Sequence, residues 1–99
     1  MPKFHLSNKA VDDLAEIWEY TFDEWSEQQA DHYYQFLLDI CQELAKNPTS
    51  GKNYYEIKSN LLGYLANKHI IFYQVISESE IEVIRILHGS MDLKSRIKE

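Results

Sequence analysis

"KHIIFYQVISESEIEVIRILHGSMDL", residues 68–93, holds two apolar runs joined by a short polar link, and it ends in a His, a Gly, a Ser and an Asp. Both runs are dense in Ile and Val, the first with Phe72 and Tyr73 among them, the composition of strands, and "ESE" (78–80) suits a tight hairpin turn between them. Moving outward, "LLGYLA" joins the first run through "NK" (67–68), and "YYEIK" precedes it, so the second half reads as an antiparallel meander of three to four strands. The central strand of that meander is expected to contain Ile70 to Val75.

Upstream the period changes. "KNPTSGKN" (46–53) carries Pro48 and Gly51 and stops a preceding helix. That helix begins at "SEQQ" (26–29), a capping box of Ser26 with Gln29, and its apolar positions Ala30, Tyr33, Leu37, Ile40 or Cys41, and Leu44 recur at helical spacing. An earlier helix, capped by Ser7, places Val11, Leu14, Ile17, Trp18, Thr21 and Trp25 on one stripe, with Asp12 and Asp13 early enough to favour the helix dipole. Helices over 8–25 and 27–46 with almost no loop make a hairpin. "PKFHLS" (2–7) alternates Phe4 and Leu6 with polar neighbours and reads as a strand. The architecture expected is therefore α+β: an N-terminal strand, then an antiparallel two-helix hairpin packed on one face of a three- to four-stranded antiparallel sheet.

With 99 residues, 44% hydrophobic and 13% aromatic, the chain supports one core and is read as a single domain, 1–99, whose residues 88–99 form a mobile tail. Cys41 is the only cysteine, so no intramolecular disulfide forms, and it sits among apolar helix positions as a small buried hydrophobe. No run is long or apolar enough for a bilayer span or a signal peptide, so a cytoplasmic location is expected. The net charge of −6 is uneven: residues 1–50 carry 3 Lys/Arg against 10 Asp/Glu, residues 51–99 carry 7 against 6. Phosphates are repelled from the first half, and any polyanion must approach the second. His5, His32 and His69 are scattered without ligand spacing, and neither a metal nor another cofactor is expected.

"LSNKAVDDLAEIWEY", "EQQADHYYQFLLDICQELAKNP", "HIIFYQV" and "IEVIRILHGSMDL", in this order and spacing, resemble the RelE/ParE superfamily of bacterial toxins, and the "IFY" strand with the terminal Arg-Ile-Leu-His-x-x-Met-Asp resembles its ParE branch. The resemblance covers most of the chain. It implies the toxin of a type II toxin–antitoxin pair, neutralised by a ParD-like antitoxin and inhibiting DNA gyrase by binding. Two positions depart from the ParE pattern: Leu62 stands where an Arg is usual, and Ser90 where many members are basic. The departures leave open an altered target or a degenerate toxin fold that only binds a partner.

A RelE-like ribosome-dependent mRNA interferase is the alternative reading, with Arg85 and His88 as its candidate catalytic pair. Metal-independent RNA cleavage needs a base, an acid and cations for the phosphate charge. Here the last strand offers only Arg85 and no Tyr follows His88, so a non-enzymatic binder is expected. Arg85 alternates with Ile84 and Ile86, which turns it toward solvent or a partner groove. The target-binding candidates are Arg85, His88, Ser90, Met91, Asp92, Lys94, Arg96 and Lys98. The competing structural roles are a backbone hydrogen bond for His88, a staple to the core for Met91 and a cap on "LKSRI" for Asp92. An apolar groove between the hairpin and the sheet is expected to receive the antitoxin. Seven Tyr and two Trp in so short a chain also imply an exposed aromatic patch, through which the free protein self-associates.

Overall fold

The computed structural model describes residues 1–98; Glu99, the last residue of the expected domain, lies outside the described residues. The chain runs β1 (Lys3–Leu6), α1 (Asn8–Glu24), α2 (Glu27–Lys46), a 3-10 turn (Pro48–Ser50), β2 (Lys52–Asn53), β3 (Leu62–Ala66), β4 (His69–Ser77), β5 (Glu80–His88) and α3 (Leu93–Ile97). The five strands form one sheet in the order β1-β5-β4-β3-β2, with β4 in the middle as expected.

The sheet has five strands where three to four were expected, and it is mixed rather than antiparallel throughout. β1 lies parallel to β5, Phe4 opposite Ile81 and Leu6 opposite Val83, while the other pairs are antiparallel. A parallel partner needs a long connection, and here the helical hairpin carries the chain from β1 over one face to β2 at the far edge, from which β3 and β4 lead back to β5. The β3–β4 turn is the two residues Asn67 and Lys68, with Asn67 at φ 58°, a left-handed conformation that Asn tolerates better than most side chains.

Both long helices cover one face. Ser7 starts α1 twice over: its Oγ accepts from the Ala10 N–H at 3.0 Å and donates to the Ile84 carbonyl at 2.6 Å, fastening helix to sheet. Ser26 Oγ accepts from the Gln29 N–H at 3.0 Å, as the capping box requires. Between hairpin and sheet lies the main core, including Ala10, Leu14, Leu37, Cys41, Leu44, Ile71, Tyr73, Ile81, Val83 and Ile86. The buried stripe of α1 is narrower than expected, because Val11 and Trp25 lie 50% and 76% exposed. Asp13 is also displaced from its expected dipole role: it lies beyond the first turn and is buried.

The opposite sheet face carries a second, smaller cluster of Leu61, Ile70, Phe72 and Leu87, covered by Tyr54, Ile57, Ile84, Leu93 and Ile97. "YYEIK", expected as a strand, supplies part of that cover as turns. Asn53 Oδ1 accepts the Tyr55 N–H at 2.6 Å and the Tyr54 carbonyl accepts from Ile57 N–H at 3.0 Å, so side-chain and local bonds replace a ladder. Tyr54 sets its ring edge-on to Phe72, centroids 5.1 Å apart. Gly63 allows this approach, since a Cβ there would meet the Tyr54 ring at 2.6 Å.

Candidate functional site

The residues singled out near the end of the chain meet where β1 stops pairing with β5. Opposite Arg85 stands Phe72, but the next pair is Tyr73 with Val83, so Ile84 is bulged out of the ladder. The bulge breaks the alternation: Ile81, Val83 and Ile86 serve the main core, Ile84 and Leu87 the second cluster. Arg85, expected to face solvent or a partner groove, is instead buried, 5% exposed. Its Nε–H donates to Asp13 Oδ2 at 2.8 Å and its Nη2–H to Asp13 Oδ1 at 3.0 Å, a two-point pair across 72 residues of sequence. Asp13 Oδ2 also accepts the Ile86 N–H at 3.0 Å, occupying the strand edge that β1 leaves uncovered. The remaining arm of Arg85 donates from Nη1 to the Arg96 carbonyl at 2.6 Å and ties down α3.

His88 closes β5 and sits opposite His69, the two rings edge-to-face with centroids 5.3 Å apart. His69 Nδ1 lies 2.6 Å from the Tyr33 hydroxyl on α2. Burial, with His88 alongside, pushes the His69 imidazole down to about 4, against a smaller opposing pull from Asp13. His88 Nδ1 accepts the Ser90 N–H at 3.1 Å and lies 2.8 Å from Ser90 Oγ, so the hydrogen-bond network places the His88 proton on Nε2. His88 is thus held by the backbone of the following turn rather than by a distant carbonyl.

Around these rings opens a cleft of about 400 Å³ whose walls include Glu16, Ile17 and Tyr20 of α1, the two histidines, and Met91 of the tail. Met91 lies 41% exposed there, so the staple expected of it is provided by Leu93 and Ile97. Asp92 caps α3 as expected: Oδ1 accepts the Ser95 N–H at 3.3 Å and Oδ2 the Ser95 hydroxyl at 2.9 Å, and the latter bond holds its carboxyl below the usual range. Ser90, Lys94 and Lys98 are exposed, and Arg96 is half-buried. Of the segment 88–99 expected as a mobile end, the described residues form a turn and the short helix α3, whose Leu93 and Ile97 pack on the second cluster, and Glu99 lies outside the described residues. Leu62, the departure from the basic pattern, is half-buried at the margin of the main core.

The chemistry on offer is limited. Arg85 does not line the cleft, its guanidinium being engaged with Asp13 and the Arg96 carbonyl, while Asp13 and Glu16 add acid to the walls. Arg96 is the one Lys or Arg among the described residues of these walls, set against the carboxylates of Asp13 and Glu16, so the cleft presents no cluster of cations to a phosphate. Among the described residues no group of three His, Cys, Asp or Glu is placed to hold a metal ion. Cys41 is buried in the core, its thiol pushed up to about 12 by that burial, far from nucleophilic use. None of the described helices is long and apolar enough to cross a membrane.

Sequence reasoning missed Asp13, Tyr33 and His69 as members of this site. For His69 a signal existed: setting Ser77 opposite Glu80 across the two-residue turn and counting outward places His69 opposite His88. For Asp13 there was none, because its partner is brought by the fold from the other end of the chain.

Comparison with known proteins agrees with this architecture. The family model described as "ParE toxin of type II toxin-antitoxin system, parDE" matches residues 4–93. The chain is 36% identical over 91 residues to Toxin ParE1 of Mycobacterium tuberculosis, covering 92% of this chain and 93% of that one. It is 29% identical over 97 residues to Toxin ParE1 of Caulobacter vibrioides, covering 98% and 99%. A solved structure titled "Chromosomal ParDE TA system from P. aeruginosa" superposes with a TM-score of 0.75 at 17% identity, over 89% of this chain and 96% of that one, and thus shares the fold.

Proposed function

We propose, from the premise that this chain belongs to the ParE toxin family of type II toxin–antitoxin systems, that it acts in the cytoplasm by binding DNA gyrase, without catalysing a reaction, and is neutralised by an antitoxin of the ParD kind. The observation that carries the non-enzymatic half is the Asp13–Arg85 pair. The strand cation that a nuclease would aim at phosphate is engaged in holding the fold together. His69 and His88 supply imidazoles, but the cleft walls beside them include the carboxylates of Asp13 and Glu16.

Target contact is assigned to the surface from His88 to Lys98. Ser90, Met91, Asp92, Lys94 and Lys98 are exposed there, with His88 and Arg96 half-buried behind them. Arg85 contributes at one remove, by fixing the Arg96 carbonyl. The test is a supercoiling assay with purified gyrase, comparing the natural chain with a Lys94→Glu/Lys98→Glu variant. The natural chain inhibits, and the variant inhibits about tenfold less at unchanged melting temperature and antitoxin affinity. Undiminished inhibition by the variant removes the tail from the contact. Cleavage of ribosome-bound mRNA by the natural chain, with gyrase unaffected, overturns the reading altogether.

A further inference from the structure

α1 carries two apolar seams. The inner one, including Ala10, Leu14 and Ile17, packs on the sheet. The outer one is Val11, Ala15, Trp18 and Phe22, stepping four, three and four residues, the spacing that keeps side chains on one narrow stripe facing a second helix, and Trp25, the C-cap residue, follows at its end. Among the described residues no helix covers its solvent side: Val11, Phe22 and Trp25 lie 50%, 43% and 76% exposed. Trp18 stacks on Phe22, centroids 5.3 Å and planes 18° apart, and its Nε1–H donates to Asp31 of α2 at 3.0 Å. Tyr34, one turn beyond Asp31 and 36% exposed, widens the band onto α2.

Charge decides what fits there. Residues 10–45, nearly the whole hairpin, contain ten Asp/Glu and not one Lys or Arg. Asp13 is answered by Arg85; among the described residues no Lys or Arg forms an ion pair with Asp12, Glu19, Asp23 or Asp31. Helical spacing puts Asp12, Glu19 and Asp23 along one border of the outer seam, and Asp31 stands at the other. A second copy brought face to face would oppose these acids with their like, and a nucleic acid or an anionic lipid surface is repelled by the same field. An acidic or neutral helix would bury the stripe only by desolvating carboxylates without compensation.

We propose that the solvent face of the α1–α2 hairpin is a docking surface for a basic amphipathic helix of a partner protein, its aliphatic side chains seated on the outer seam and its Lys or Arg flanking them toward Asp12, Glu19, Asp23 and Asp31. This goes beyond the gyrase reading, which concerns the tail on the other side of the site, and stands or falls separately from it.

Both tryptophans of the chain belong to the seam, so intrinsic fluorescence reports its occupancy directly. The probe is a synthetic helical peptide of about three turns or more with a leucine stripe flanked by lysines, and its control has the same stripe flanked by glutamates. The lysine peptide is expected to blue-shift and saturate the signal with 1:1 stoichiometry, and the glutamate peptide to bind at least about tenfold more weakly. A Val11→Ser/Phe22→Ser variant keeps every acid and both tryptophans, and truncates only exposed side chains; it is expected to lose about tenfold in affinity at unchanged melting temperature. Equal binding of the two peptides, or undiminished binding by the serine variant, overturns the proposal. So does a dimer in sedimentation that the same variant abolishes, because a second copy would then be the occupant.

Discussion

Asp13 and Arg85 answer each other across almost the full length of the chain, and the cost of disturbing them is set by what is left behind. Asp13→Asn removes the charge that compensates a buried guanidinium and one acceptor of a strand-edge N–H, and is expected to cost about 3 kcal/mol or more in chemical denaturation. A Asp13→Asn/Arg85→Met double variant should recover part of that loss, because no unpaired charge remains. If the double variant loses as much as the two singles summed, the pair is not coupled. Tyr73 poses a neutral version of the same problem. Its hydroxyl donates to the Pro48 carbonyl at 2.7 Å and accepts the Gly51 N–H at 2.9 Å, so Tyr73→Phe orphans one acceptor and one donor and should lower stability by about 1–3 kcal/mol in the same assay. Neither partnership was legible in the sequence. Arg85 reads as a solvent-facing strand residue so long as Ile84, Arg85 and Ile86 alternate, and only the bulge at Ile84 reassigns it.

At the scale of elements the sequence was far more informative. The helices fell within a residue of their expected ends because Ser7, Ser26 and Pro48 are local signals that need no tertiary context. The alternation of Phe4 and Leu6 marks β1 as a strand, but no local signal carries its parallel pairing, since direction depends on where a distant strand lies. "YYEIK" failed for the opposite reason: its aromatics suit a strand, but they pack as cover over Phe72 from a run of turns. The hairpin of β4 and β5 carries a pH prediction through His69. Its pKa falls from 6.5 in the unfolded chain to about 4 in the folded one, first by burial and then by His88. The unfolded state therefore binds the extra proton between those values, and stability must fall as pH drops from 6.5 toward 4 while staying flat, as far as this group is concerned, above 7. Urea midpoints measured from pH 7.5 to 4.5 should show the decline, and His69→Gln should flatten it relative to the natural chain. A decline of the same size in both would assign it to other groups.

The molecule as a whole is a sheet with a large core on one side and a small one on the other, and the tail closes the small one. Removing residues 88–99 would uncover Leu61, Ile70, Phe72 and Leu87 by taking away Leu93 and Ile97, and should cost about 2 kcal/mol with a gain in binding of hydrophobic dyes. Thermal unfolding of the truncated chain measures this; a melting point equal to that of the full chain would show α3 to be energetically idle. Loss of toxicity on such a truncation would thus be ambiguous between contact and folding, which is why exposed lysines make the sharper test. The place of β5 reaches further. It lies between β1 and β4 and floors α1, yet it follows every one of the other described strands in the order of synthesis. Until residues 80–88 exist, β1 has no neighbour to pair with and Ser7 has no Ile84 carbonyl to bind. Nascent chains arrested before Glu80 are therefore expected to be digested by protease as readily as unfolded polypeptide. A message cut short, or a ribosome stalled before that strand, then yields debris for proteolysis rather than a partly armed toxin.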